Sequence, residues 1–201
     1  MNKIILSSGN KHKIEEIKDI LEKLDIEVIS KNDIGLESLD VIEDGETLSE
    51  NALKKARAIF EKVNGIVIAD DTGLFVDKLD GRPGVYSARY AGEECSYDAN
   101  NIKMLNELKN VELEFRTARF KTVMAIIYED GKEEVVEGIC EGIILEELHG
   151  DAGFGYDPLF KPIGYDKTFA ELGSDIKNKI SHRAKALINL RESLIRHLEL
   201  D

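Results

Sequence analysis

Apolar residues recur along this chain with two periods, and the places where one gives way to the other mark its elements. Residues 3–8 carry Ile4, Ile5 and Leu6 in an unbroken apolar run that ends at Ser7 and Ser8, which predicts a short buried strand. Gly9 and Asn10 turn the chain, and from Lys13 the spacing becomes helical, with Ile14, Ile17, Ile20, Leu21 and Leu24 on one face. Thr47 and Glu50 stand at capping-box spacing and open a second helix with an apolar stripe of Leu48, Ala52, Leu53, Ala56, Ile59, Phe60 and Val63. A strand over residues 66–70 gives way to Asp71-Thr72-Gly73, read as a Gly-containing turn, before a short strand-like stretch over 74–79. Gly81-Arg82-Pro83-Gly84 breaks the chain into a loop, and residues 98–108 predict a helix with Ile102, Leu105 and Leu108 facing inward. Two long strands follow, 119–129 and 133–146, joined by the hairpin signal Asp130-Gly131. The last element is a helix over about 181–198, with Ala184, Leu187, Ile188, Leu194, Ile195 and Leu198 apolar. Repeats and linkers are missing, so a single mixed α/β domain over residues 1–201 is expected.

Composition narrows the class. A chain of 201 residues can bury one substantial core, or two lobes that share a sheet. It holds no 18-residue apolar run and no charged-then-apolar leader, so the expected location is the cytoplasm, with no membrane partner. Cys95 and Cys140 are far apart and lack nearby histidine spacing, which points to reduced packing thiols rather than zinc ligands. The net charge of −13 argues against nucleic acid as a partner, because affinity for a polyanion comes from clustered Lys and Arg. A small anionic substrate remains, provided a metal and local cations reverse the field; Lys11, Lys13, Lys177 and Arg183 lie near Gly turns where they could do so.

Four segments carry candidate chemistry. Asp70-Asp71 follows an apolar strand, and hard divalent cations such as Mg²⁺ want oxygen ligands held in that way; turn and capping chemistry is the plainer alternative. The strand, Gly9-Asn10 turn and helix start would present backbone N–H groups to phosphate, yet the segment is neither a Walker A loop nor a dinucleotide fingerprint. It can equally be an ordinary strand-to-helix connection with solvated Lys11 and Lys13. Residues 150–160 set Gly150, Gly153 and Gly155 among Phe154, Tyr156 and Phe160, which suits a backbone close to a planar base, or a Gly-rich crossover with core aromatics. Lys177 and Ser181-His182-Arg183 offer donors for a base carbonyl or a phosphate, against a plain surface pair.

Together these segments resemble a known family. Ser8-Gly9-Asn10-x-x-Lys13, Glu50-Asn51-Ala52, the 69–74 run around Asp70-Asp71-Thr72-Gly73, the 83–90 run around Pro83-Gly84 and Arg89-Tyr90, Gly153-Phe154-Gly155-Tyr156-Asp157-Pro158 and Ser181-His182-Arg183 are similar, in order, to the signature segments of the inosine triphosphate pyrophosphatase family. The resemblance implies an elongated two-lobed α/β fold, a twisted mixed β-sheet flanked by helices with a central substrate cleft, usually as a homodimer. It also implies Mg²⁺-dependent hydrolysis of non-standard purine nucleoside triphosphates (ITP, dITP, XTP) to the monophosphate and pyrophosphate. By the same resemblance Ser8, Gly9, Asn10, Lys11, His12 and Lys13 cradle the phosphates, Asp71 is the catalytic carboxylate, and Glu43 with Asp71 holds Mg²⁺. Thr72, Phe154, Gly155, Tyr156, Asp157, Lys177, His182 and Arg183 contact the nucleotide. Thr72 stands where Ser is frequent and Ser8 where Thr is frequent, each keeping a hydroxyl. Glu46, Glu50 and Asp70 compete with Glu43 for the metal, and Lys55 matches a basic position that can reach phosphate. Two other classes stay open: a house-cleaning hydrolase for other triphosphates, and a nucleotide sensor without turnover.

Overall fold

The computed structural model describes residues 2–8, 11–21, 26–93 and 95–199, without the side chains of Asn2, Lys11, His12, Glu16, Asp19 and Ile20. Gly9, Asn10 and Leu24 therefore lie outside the described residues, as do the side chains of Lys11, His12 and Ile20. Helices and strands follow one another as β1 (Asn2–Leu6), α1 (Lys11–Leu21), β2 (Ile26–Ser30), α2 (Leu48–Phe60), β3 (Ile66–Val76), β4 (Pro83–Gly84), α3 (Tyr97–Glu107), β5 (Thr117–Ile127), β6 (Glu133–Ile144), β7 (Phe160–Pro162), α4 (Phe169–Ile180) and α5 (His182–Leu198). Among the described residues seven strands form one sheet in the order β2-β1-β3-β5-β6-β7, with β4 paired to β3. The sheet is mixed: β1 runs parallel to β2 and β3, with Ile4 opposite Val28 and Ile66, while β3–β4 and β6–β7 are antiparallel.

Two compact units divide the chain, each assembled from separate segments: residues 1–71, 122–138 and 185–201 in the first, 72–121 and 139–184 in the second. In the first, Ile17 and Leu21 of α1 and Leu187, Leu190 and Leu194 of α5 bury their apolar stripes with Ile4, Leu6, Ile66, Ile68 and Met124 of the sheet. Each such side chain contributes about 1.5–3 kcal/mol by leaving water. In the second, Leu74, Val76, Phe120 and Ile144 form the core with Met104 and Leu108 of the α3 segment, Phe160, and Phe169 of α4.

The capping box is present in full: Thr47 Oγ1 accepts from Glu50 N at 3.1 Å and Glu50 Oε2 accepts from Thr47 N at 3.2 Å. Other expectations need correction. Asp71-Thr72-Gly73 is not a turn but the middle of an eleven-residue strand, and residues 77–79 are a short 3₁₀ turn after it. Gly73 is there for close approach, since a Cβ would stand 2.5 Å from the Gly84 carbonyl oxygen on β4. Ile102 is 57% exposed; α3 instead turns Asn100, Asn101 and Met104 inward. Asn100 Oδ1 accepts there from Ala91 N and its Nδ2 donates to the Ala88 carbonyl, while Asn101 Nδ2 donates to the Gly155 carbonyl and its Oδ1 has no hydrogen-bond partner among the described residues. Ile188 is likewise half exposed, and Ala186 and Leu190 fill the inner face of α5. α4 is an element that periodicity did not predict, capped by Thr168 and Glu171 and interrupted at Gly173, whose φ is +73°. Its apolar side chains are few and the glycine breaks their spacing.

Candidate functional site

In the first unit, three elements deliver charge to one place. α1 supplies Lys13, whose Nζ donates to Asp70 Oδ2 at 2.8 Å. α2 supplies Asn51 and Lys55, four residues apart and therefore on one helix face. β3 supplies Asp70 and Asp71, both buried. Lys55 Nζ donates to Asp71 Oδ1 at 3.2 Å and to Glu43 Oε2 at 3.1 Å, so a single ammonium bridges the two carboxylates named for the metal. Asn51 is fixed at both ends of its amide: Nδ2 donates to Asp71 Oδ2 at 3.3 Å, and Oδ1 accepts from Gly45 N at 2.8 Å. Both oxygens of Asp71 are thus oriented by donors, and the loop that brings Glu43 is tied to α2.

The electrostatics are strained toward positive charge. Burial pushes the Asp71 carboxyl above the usual carboxylate range; the Lys55 ammonium opposes this and Glu43 adds to it. Burial works against the charge on Lys55, but Asp71, Asp70 and Glu43 outweigh it and hold the ammonium more firmly protonated than usual. Among the described residues the three carboxylates Glu43, Asp70 and Asp71 meet two ammoniums, Lys13 and Lys55, which leaves an excess negative charge in this cluster. Among the described residues no group of three or more His, Cys, Asp or Glu converges as a ready metal cage. Mg²⁺ does not require one, since it commonly takes one or two carboxylates, keeps waters and borrows substrate phosphate oxygens. Glu43 and Asp71, already drawn to one cation, fit that donor set. Glu50 is occupied as a cap and accepts from Glu46 N as well, which separates it from the metal candidates.

Beside this cluster lies a pocket of about 220 Å³ lined by Ser7, Ser8, Lys13, Lys31, Glu43, Lys55 and Asp70, among others. Ser8 and Lys13 thus meet where the resemblance puts phosphate. Asn51, Lys55 and Lys31 are the residues that sequence reading left without a firm role. The spacing of Asn51 and Lys55 was the available signal, because it puts both on the face of α2 that the buried stripe turns inward.

The second unit gathers most of the other predicted residues. Asp157 Oδ2 accepts from Lys177 Nζ at 2.6 Å and from Phe154 N at 2.9 Å. The Lys177 ammonium lies 4.5 Å from the centre of the Phe154 ring and the Arg183 guanidinium 5.8 Å from it, both within cation–π range. Tyr97 approaches the same ring at 6.2 Å. Lys177 and Arg183 are only 7% and 3% exposed, so the surface-pair alternative fails. Gly153, at φ +82°, leaves space that the Asp157 carboxylate fills, and a Cβ there would collide with it. Tyr156 and Phe160 are core residues, Tyr156 donating its hydroxyl to the Ser87 carbonyl at 2.9 Å. His182 stacks on Phe120 at 4.6 Å inside the fold. Of the 150–160 aromatics, only Phe154 is partly open. Thr72 is half-buried at the start of this unit.

Comparison with known proteins is consistent across sequence and structure. The Ham1 family pattern matches residues 4–193. The dITP/XTP pyrophosphatase of Caldanaerobacter subterraneus subsp. tengcongensis is 51% identical over 200 residues, covering 99% of each chain. Among solved structures, the Staphylococcus aureus Ham1 protein superposes with a TM-score of 0.87 at 41% identity, over 98% of this chain and 99% of that one. A HAM1 protein from Coxiella burnetii gives a TM-score of 0.90 at 36% identity, over 98% and 100%.

Proposed function

Because the chain belongs to the Ham1 family, matched over residues 4–193, we propose that it hydrolyses non-standard purine nucleoside triphosphates, dITP, XTP and ITP, to the monophosphate and pyrophosphate with Mg²⁺ as cofactor. It is a hydrolase of acid anhydrides, as its relatives named dITP/XTP pyrophosphatase are. The observation that carries the reading is the Lys55 ammonium bridging Glu43 and Asp71 beside the pocket that Ser8 and Lys13 line.

The chemistry follows from charge. A triphosphate carries roughly four negative charges, so its phosphate oxygens must be neutralised before water can attack phosphorus in line. Lys13 and Lys55 supply fixed positive charge, and the hydroxyl of Ser8 can donate to a phosphate oxygen. Mg²⁺, held by Glu43 and Asp71, would neutralise developing charge on those oxygens. Asp71 orients the attacking water and takes its proton, and Asn51 with Lys55 fixes the direction of its lone pairs. Attack at the α-phosphorus releases pyrophosphate in one step.

Base selection belongs to the second cluster. Hypoxanthine and xanthine present a 6-oxo acceptor, adenine a 6-amino donor. Lys177, anchored on Asp157, and Arg183 are pure donors, so adenine would face donor against donor. Phe154 offers the ring on which a base can stack. The free thiols Cys95 and Cys140 suit the reducing cytoplasm where nucleotide pools lie. Exposed Tyr86, Ile102, Phe115 and Ile163 are compatible with a homodimer. No helix among the described residues is long and apolar enough to cross a membrane.

The test is pyrophosphate release from dITP, XTP, ITP, GTP and ATP, with and without Mg²⁺. We expect kcat/KM for dITP and XTP to exceed that for ATP by at least about a hundred-fold, the scale on which unpaired buried polar groups reject a substrate. Orthophosphate as the product, or equal rates on all five, would replace this reading with that of a general triphosphatase.

A further inference from the structure

Among the described residues the first-unit pocket is lined by three ammonium groups, and two of them are matched by carboxylates: Lys13 by Asp70, and Lys55 by Glu43 and Asp71. The third, Lys31, follows β2 and donates from Nζ to the Leu39 carbonyl at 2.8 Å. Among the described residues no carboxylate lies within ion-pair distance of it, although Asp40 lines the same pocket. A carbonyl takes one of the three N–H groups of an ammonium and does not cancel its charge. Lys31 therefore brings a whole positive charge and two further donors to a polyphosphate-sized space.

The pocket also adjoins the reacting carboxylate of the proposed function. Asp71, where water is activated, is not among the residues that line it, whereas Glu43 and Lys55, which flank Asp71, are. With phosphorus attacked at Asp71, the phosphates beyond it would fall in the pocket that Glu43 and Lys55 share with Lys31.

Resting on the pyrophosphatase reading above, we propose that Lys31 binds the departing pyrophosphate, the β- and γ-phosphates of the substrate. Its contact with Leu39 holds the ammonium in place and at the same time ties down the loop that carries Glu43.

These two roles separate in Lys31→Gln, which keeps an N–H donor for the Leu39 carbonyl and removes the charge, and in Lys31→Arg, which keeps the charge. Binding of inorganic pyrophosphate and of inosine monophosphate would be measured by calorimetry in Mg²⁺ buffer for the wild type and both variants, alongside dITP turnover. Pyrophosphate should bind Lys31→Gln about ten-fold more weakly, the size of one charge-assisted hydrogen bond, and Lys31→Arg within about three-fold of wild type. Inosine monophosphate should bind all three alike. Undiminished pyrophosphate binding by Lys31→Gln overturns the proposal, and so does an equal loss for both ligands, which would make Lys31 a loop tether only. Failure of the wild type to turn over dITP would instead strike the pyrophosphatase reading, and the pyrophosphate comparison would still judge Lys31.

Discussion

Asp71 shows how much of this site depends on orientation at single atoms. Its two oxygens each accept from a different donor, Oδ1 from Lys55 and Oδ2 from Asn51, and Asn51 cannot rotate its amide without losing Gly45 N. Asp71→Asn therefore removes the proposed base and also places an N–H₂ against one existing donor. Turnover of dITP should fall at least about a hundred-fold, the usual contribution of a positioned acid or base. The cost to the fold should stay near about 1 kcal/mol, because Lys55 retains Glu43 as a partner. Steady-state kinetics with a thermal melt checks both halves, and hydrolysis close to wild type would remove Asp71 from the reaction. Lys177 and Arg183 make the complementary case in the second unit. Their residue types and positions were plain in the sequence, but their burial was not, since it arises from Asp157 and Phe154 arriving from a loop twenty or more residues earlier.

Secondary structure was most legible where local chemistry is self-sufficient. The Thr47–Glu50 box, the Asp130-Gly131 hairpin and Ile14, Ile17 and Leu21 of the α1 stripe each satisfy their own backbone or bury their own face, and each is found where the sequence predicts it. It was least legible where a distant segment decides. Asp71-Thr72-Gly73 has turn composition, yet β4 arrives alongside and gives residues 74 and 75 partners in Gly84 and Pro83. Inward Asn100 and Asn101 displace Ile102 for the same reason, because the carbonyls they bond are supplied by other loops. Gly73 tests this account of β3. Gly73→Ala puts a methyl 2.5 Å from the Gly84 carbonyl oxygen, and both atoms sit on backbone that has to move. Overpacking of that kind costs about 1–3 kcal/mol. The melting temperature should drop by several degrees, at about 2–4 °C per kcal/mol for a chain of this size. A Gly73→Ala protein as stable as wild type would mean that β3 and β4 separate at little cost and that the glycine has some other use.

Across the whole molecule the dominant fact is excess negative charge, 40 acidic side chains against 27 basic ones. It opposes an anionic substrate, and the lysines proposed for the site stand in small part-buried or buried groups where short distance beats the long-range field. It also opposes the compact state itself. Surface ion pairs such as Arg57–Glu133, Arg82–Glu107 and Arg119–Asp77 offset part of that repulsion, but exposed pairs contribute about 0–1 kcal/mol each. Added salt screens both effects, and their sizes decide the sign. With a net charge of −13, repulsion acts among many more pairs of charges than the few close contacts that attract, and the unfolded chain relieves it by expanding. Raising KCl from about 0.02 M to about 0.5 M shortens the screening length from roughly 20 Å to under 5 Å, so the long-range repulsion fades before the shortest contacts do. The melting temperature should therefore rise by about 2–4 °C, corresponding to about 1 kcal/mol. A scanning calorimetry series in KCl measures it directly. A fall with salt would show instead that the surface pairs outweigh the net charge, and that the lysines of the site work in a field more neutral than the composition suggests.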